Sequence, residues 1–272
     1  MMYIRDTNQP NMRALKATVT LIIALMMANV QAQTKKTDPP IHEIRVYQTA
    51  NPGQAGRLDS YLADCLIPAL HRLGVNDVGV FKALPGDTVY AGRTYMLTSH
   101  GSLRKLISTE ERLMQDADYL AKAKSYLDTF PGQQAYTRKE TILLQGFRLF
   151  PSLRRPNLSG PRSERIYELR SYESSNERLY WNKVEMFNEG GETRLFDRLG
   201  FNAVFYGEVV AGARMPNLMY MTTFENKADR DAHWQTFRDD PEWKMLSADP
   251  KYRKNVSRNE TIFLRPTAYS DY

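Results

Sequence analysis

Residues Arg165 to Tyr172 read R-I-Y-E-L-R-S-Y, and the chain carries nearly the same words earlier: Ile41 to Tyr47 reads I-H-E-I-R-V-Y. Glu43, Arg45 and Tyr47 recur as Glu168, Arg170 and Tyr172, 125 residues on. Three more echoes follow in the same order. Arg72-Leu73-Gly74-Val75-Asn76 returns as Arg198-Leu199-Gly200-Phe201-Asn202 at a shift of 126. Tyr95-Met96-Leu97-Thr98 returns as Tyr220-Met221-Thr222-Thr223 at 125, and Glu140-Thr141-Ile142-Leu143-Leu144 as Glu260-Thr261-Ile262-Phe263-Leu264 at 120. Collinear matches at nearly one offset indicate duplication, and this period is too long for a solenoid unit. Each copy is therefore expected to be a small domain, with about 65% of its unfolded surface buried on folding.

Periodicity supplies the elements. In the first copy, residues 41–147, Ile41–Tyr47 alternates as a strand does. Leu58, Leu62, Leu66, Ile67, Leu70 and Leu73 keep a helical spacing, with Pro68 as a possible kink and Gly74 where a glycine cap belongs. Val75–Leu84 and Arg93–Ser99 read as a hairpin around Pro85-Gly86-Asp87, Leu103–Met114 and Asp118–Leu127 as helices, and Lys139–Phe147 as a fourth strand. The order β-α-β-β-α-β is the ferredoxin-like one, an α+β fold. Residues 148–163, with three prolines, read as a linker. The second copy, residues 164–267, repeats the plan, and 268–272 form a tail. Its distinctive piece is Asp239-Asp240-Pro241-Glu242-Trp243, an acidic cap followed by proline at the first helical position.

Composition narrows the function. Net charge is +6, of which residues 1–32 carry +2. The other basic residues interleave with acids, so no nucleic-acid footprint is expected. The single cysteine, Cys65, cannot form an internal disulfide and sits at helical spacing among apolar residues. Near the start, Arg13 and Lys16, the apolar run Ala17–Ala28 and Val30-Gln31-Ala32 read as a secretory signal over Met12–Ala32. The run is too short to span a membrane. Residues 1–11 read as an over-long start and 33–40 as a polar lead-in. The expected location is secreted or periplasmic, with no membrane anchor after cleavage.

The second copy resembles the NIPSNAP domain in I-Y-E-L-R-S-Y (166–172), R-L-G-F (198–201), Y-M-T-T-F (220–224) and W-Q-T-F-R-D-D-P-E-W (234–243). The first copy looks like a diverged version: it keeps I-H-E-I-R-V-Y and R-L-G-V but lacks the D-P-E-W element, with Asp116-Ala117-Asp118-Tyr119 standing nearby instead. The resemblance implies a dimeric α+β barrel, here two tandem ferredoxin-like repeats acting as an intramolecular dimer. Relatives in that superfamily include small monooxygenases, haem-dependent peroxidases and chlorite dismutases. Some eukaryotic members of the family are mitochondrial and tied to vesicle traffic or mitophagy. No catalytic residue set comes with it.

Alternation in the first strands divides the faces. His42, Ile44 and Val46, with Tyr167, Leu169 and Ser171, form the more apolar set, expected to meet the helices. Glu43, Arg45 and Tyr47, with Glu168, Arg170 and Tyr172, are then expected to face the barrel interior. Buried charges have to be paired, so this layer is either a self-satisfied ion-pair layer or a pocket for a small anionic or phenolic ligand, with arginine as the anion partner. His42, His71, His100 and His233 show no metal-ligand spacing, and no cofactor motif is evident. His100, at a strand end, is placed to overhang a cavity or to serve as a cap. Trp234, Phe237 and Trp243 fit helix-to-sheet core. The leading expectation is a small-molecule binder with its site between the sheets. The rivals are an enzyme of the monooxygenase or haem type and a protein-interaction module; association into homo-oligomers is open.

Overall fold

In the computed structural model, which describes residues 39–272, eight strands close into one antiparallel barrel. The expected signal at Met12–Ala32 lies outside the described residues. The strands are β1 (Ile41–Gln48), β2 (Gly79–Ala83), β3 (Arg93–His100), β4 (Arg138–Gly146), β5 (Ile166–Glu173), β6 (Phe205–Ala211), β7 (Asn217–Phe224) and β8 (Arg258–Pro266). Their order around the barrel is β1-β3-β2-β8-β5-β7-β6-β4. Each half thus contributes a four-stranded sheet with its first strand inside. The halves join along two seams, Lys82 opposite Arg265 and Leu144 opposite Val209. Closure removes the unpaired edges that a lone four-stranded sheet would expose.

The helices cover the outside. Helix α1 (Pro52–Ser60) is capped by Asn51 and loosens into a π-helical turn over Tyr61–Leu66 before α2 (Ile67–Arg72). Pro68 has no N–H to donate backwards, and the turn ahead of it is the loosened one. Then come α3 (Leu103–Leu113), α4 (Ala117–Lys122) and α5 (Lys124–Leu127). The second half has α6 (Glu177–Asn188), α7 (Glu192–Arg198), α8 (Lys227–Asp239) and α9 (Pro241–Ala248). Gly191, left-handed at φ 93°, makes the break between α6 and α7.

Duplication shows in side-chain detail as well. Asp116 caps α4 and Asp240 caps α9. The arginine of each R-L-G motif clasps that cap: Arg72 reaches Asp116 at 2.7 Å and Asp118 at 3.1 Å, and Arg198 reaches Asp240 at 2.9 Å and Glu242 at 3.0 Å. The Asp116-Ala117-Asp118-Tyr119 stretch is therefore the first half's counterpart of D-P-E-W. The linker lies against the second half: Phe147 and Phe150 are buried in its helix-side core, and Arg154 N–H bonds to the Val204 carbonyl.

Two expectations need correction. Glu43 stands opposite Thr98 and Glu168 opposite Thr222, so β3 and β7 correspond at a shift of 124, one less than the echo of Tyr95 with Tyr220. A slip of one residue changes the face: Tyr95 points into the barrel, whereas Tyr220 joins the helix-side core. The faces of β1 and β5 are also the reverse of those expected. Ile44, Tyr167 and Leu169 pack in the barrel interior with Phe81, Leu97 and Phe205. Glu43, Arg45, Tyr47, Glu168, Arg170 and Tyr172 lie on the outer face beneath the helices, with Tyr47 in the first half's helix-side core. The physical reason is closure. A narrow barrel is filled by side chains from all its strands, so its interior is the drier side. Charged groups on the outer face can find partners on the helices.

Candidate functional site

The two Glu-x-Arg-x-Tyr strands meet different helices, and the difference makes the site. In the first half Arg45 Nε donates to Glu43 at 2.8 Å and Nη2 donates to Glu110 on α3. Thr98 Oγ1 donates to the second Glu43 oxygen at 3.3 Å. Burial opposes the Arg45 charge, but Glu43 and Glu110 outweigh it and carry the pKa well above the ordinary arginine value. Two carboxylates neutralise one guanidinium.

In the second half the helix presents other residues. Counted from the N-caps Ser102 and Asn226, the positions of Leu106 and Glu110 are taken by Arg230 and Trp234. Arg230 grips Glu168 with two bonds of 2.7 and 2.8 Å, and Trp234 Nε1 donates to the same carboxylate at 2.8 Å. Such a two-pronged, charge-assisted pair is strong. Glu168, fully buried, is thereby satisfied. Arg170 keeps a 3.3 Å contact with it but otherwise has neutral partners: Thr261 Oγ1 at 3.0 Å and the hydroxyls of Tyr172 and Tyr220 at 3.0 and 3.3 Å. Its guanidinium carbon stands 4.3 Å from the Trp234 ring centre. Nη2 has no hydrogen-bond partner among the described residues. Burial pushes both phenols up, so they stay protonated at ordinary pH. Burial opposes the Arg170 charge too, but Tyr220, Tyr172 and Glu168 outweigh it and raise the pKa. Two guanidinium groups thus share the buried Glu168 carboxylate, and among the described residues Arg230 alone has a second acid, exposed Asp231 at 2.9 Å.

Arg170 and Tyr172 open onto a cleft of about 370 Å³ beneath α6, α8 and α9. Trp234, Trp243 and Arg238 line it, as does a buried Lys183–Glu192 ion pair at 2.9 Å. The Lys183 ammonium also stands over the rings of Phe187 and Tyr172, at 4.7 and 5.5 Å. The space between the sheets is different. Its cavity is about 70 Å³, room for roughly two waters at about 30 Å³ each, and too small for a porphyrin or an aromatic ligand. It adjoins a mouth of about 520 Å³ at the barrel's end, lined by Arg93, Arg138 and Arg214. His42, not His100, is the histidine of the interior, with Nδ1 2.9 Å from Ser99 Oγ. His100 lies on the helix side, 3.1 Å from Thr98 Oγ1.

Residues 167–271 match the NIPSNAP family profile. The second half of this chain thus matches the NIPSNAP family. No curated protein matches the chain significantly. Among solved structures, it is similar in fold to a candidate monooxygenase from Lactobacillus acidophilus, 10% identical with a TM-score of 0.53, over 84% of this chain and 94% of that one. A candidate monooxygenase from Fusobacterium nucleatum is 9% identical at a TM-score of 0.52, over 84% and 93%. An anthrone oxidase-like protein is 12% identical at 0.51, over 85% and 92%. The dimeric α+β barrel seen in such proteins is the fold found here, built within one chain.

The structure brings Arg170 and Tyr172 to the NIPSNAP cleft and removes Glu43, Arg45, Tyr47 and Glu168 into satisfied packing. Sequence reasoning missed Lys183, Glu192, Arg230 and Tyr220. Lys183 carried a signal: it stands three residues after Tyr180 and four before Phe187, on the buried stripe of α6. Tyr220 was obscured by the one-residue slip. Trp234 is core, as its spacing indicates, and also a wall of the cleft.

Proposed function

We propose that the NIPSNAP half binds a small aromatic or phenolic anion in the Arg170 cleft. One observation carries this reading: Arg230 and Trp234 take the bonds of Glu168, so Arg170, left with one 3.3 Å contact to that carboxylate and neutral hydrogen-bond partners, reaches the cleft with an Nη2 that has no partner among the described residues. An incoming carboxylate completes the guanidinium's bonds, and its ring lies among Trp234, Trp243 and Tyr172. The test is calorimetric titration with 4-hydroxybenzoate, beside its neutral analogue 4-hydroxybenzyl alcohol. Two of the chain's three tryptophans line the cleft, so intrinsic fluorescence should report the same event. Arg170→Gln should weaken 4-hydroxybenzoate at least about tenfold, the value of one charge-assisted hydrogen bond, and leave the alcohol unchanged. Equal affinity in both proteins would overturn the reading.

A second reading is oxidation of a bound anthrone by dioxygen, in which the ring methylene becomes a carbonyl with one oxygen atom and its two hydrogens leave with the other as water; the Lys183–Glu192 pair lines the cleft, with a carboxylate to take the methylene proton. Fold neighbours are named as candidate monooxygenases and as anthrone oxidase-like. Oxygen uptake with 1,8-dihydroxyanthrone would support it, and none would leave binding alone. Both readings take the protein as exported, with Met12–Ala32 as the signal. Mass analysis of the envelope fraction should then find a chain beginning near Gln33, and an intact Met12 there would refute export by cleavage.

A further inference from the structure

A second cavity is larger than the NIPSNAP cleft. It holds about 710 Å³ and lies on the first half, between α1 with its π turn and the α4–α5 segment. Tyr61 and Tyr126 line it, stacked with centroids 3.5 Å apart and planes within 1°, and buried Ala135 lies beside them. Exposed Arg57, Asp64 and Lys122 also line it. Lys122 is shared with exposed Asp118 at 3.1 Å. Among the described residues Arg57 has no carboxylate partner, and its side chain reaches only the Gln134 carbonyl, at 3.5 Å.

Glycine use in α1 points the same way. A glycine inside a helix costs about 0.5–1 kcal/mol relative to alanine. Gly56 has no positive φ to require it, and a Cβ there would meet nothing within 4 Å. Neither strain nor close packing calls for glycine, yet the residue lines the cavity. Its missing side chain is part of the open space. The next segment, Tyr61–Leu66, carries Tyr61, Asp64 and Cys65 onto the wall as a π-helix, a form frequent at functional sites.

We propose that this cavity is a second binding site, independent of the Arg170 cleft, for an amphipathic organic anion. Its aromatic body stacks beside Tyr61 and Tyr126, and its carboxylate or sulfonate meets Arg57 and Lys122. The volume lies within the roughly 300–1,000 Å³ usual for small-molecule pockets. Its aromatic lining and an Arg57 without a carboxylate partner among the described residues, with Lys122 across the cavity, give the required chemistry.

The probe is 8-anilinonaphthalene-1-sulfonate on the full chain. Saturable fluorescence enhancement is expected, weakened at least tenfold by Gly56→Phe, which fills the space, and by the pair Arg57→Gln with Lys122→Gln. Cys65 lines this cavity and not the NIPSNAP cleft, so its protection by the probe reads occupancy of this site alone, and failure here is distinguishable from failure at the cleft. Cys65, the only cysteine in the sequence and part of the wall, provides an internal reporter. Burial raises its thiol pKa, so N-ethylmaleimide should react slowly near pH 8, and saturating probe should slow it several-fold further. Full binding by Gly56→Phe, or an unprotected Cys65 at saturation, would overturn the proposal.

Discussion

Replacing Arg230 with leucine tests how the second half divides one buried carboxylate between two guanidinium groups. Glu168 would lose bonds of 2.7 and 2.8 Å, and breaking a buried pair from one side costs about 3–5 kcal/mol. Part of that is recovered. Trp234 Nε1 stays at 2.8 Å and Arg170 already stands 3.3 Å away, close enough to turn toward the carboxylate. A loss of about 2–3 kcal/mol is therefore expected, which for a chain of this size lowers Tm by roughly 5–10 °C. Denaturant unfolding with and without Glu168→Gln isolates the pair, and the double-mutant coupling should be about 2 kcal/mol. Once Arg170 turns inward it no longer serves the cleft, so 4-hydroxybenzoate should weaken about tenfold, a change of about 1.4 kcal/mol. A variant within 0.5 kcal/mol of the parent, with undiminished anion binding, would refute this division of roles.

Other expectations concern the barrel and its seams. Burial lowers the His42 pKa to about 4 from an ordinary 6.5, so the folded protein holds it neutral while the unfolded chain protonates first. Stability is then lost as pH falls from 6.5 toward 4, by about 3 kcal/mol at most. Comparing urea midpoints of the parent and His42→Gln at pH 7 and 4.5 should show a smaller decline in the variant, and identical declines would contradict a neutral interior histidine. At Gly146 an added Cβ would overlap the Pro151 carbonyl. Gly146→Ala should cost about 1–3 kcal/mol, whereas Gly56→Ala, with open space around it, should gain up to about 1 kcal/mol; thermal melts of the two decide it.

The duplication and, with it, the element order could be read from the residues alone, since each half has the same apolar periodicity and the same R-L-G stop before its hairpin. The acidic cap of α9 was equally legible, because an N-cap is a local contract between a side chain and the next turn of backbone. Which face of β1 and β5 turns inward was not legible. Both faces end up buried, one in the barrel and one beneath helices, and alternation separates two faces without ranking them. The unequal fates of Arg45 and Arg170 lay further out of reach. They depend on what two helices, some 65 residues downstream of their strands, present at one point in space. Glu110 there neutralises an arginine, and Arg230 with Trp234 leaves one available; that choice belongs to the tertiary structure, because charge pairing is settled by distance between side chains and not by their order along the chain.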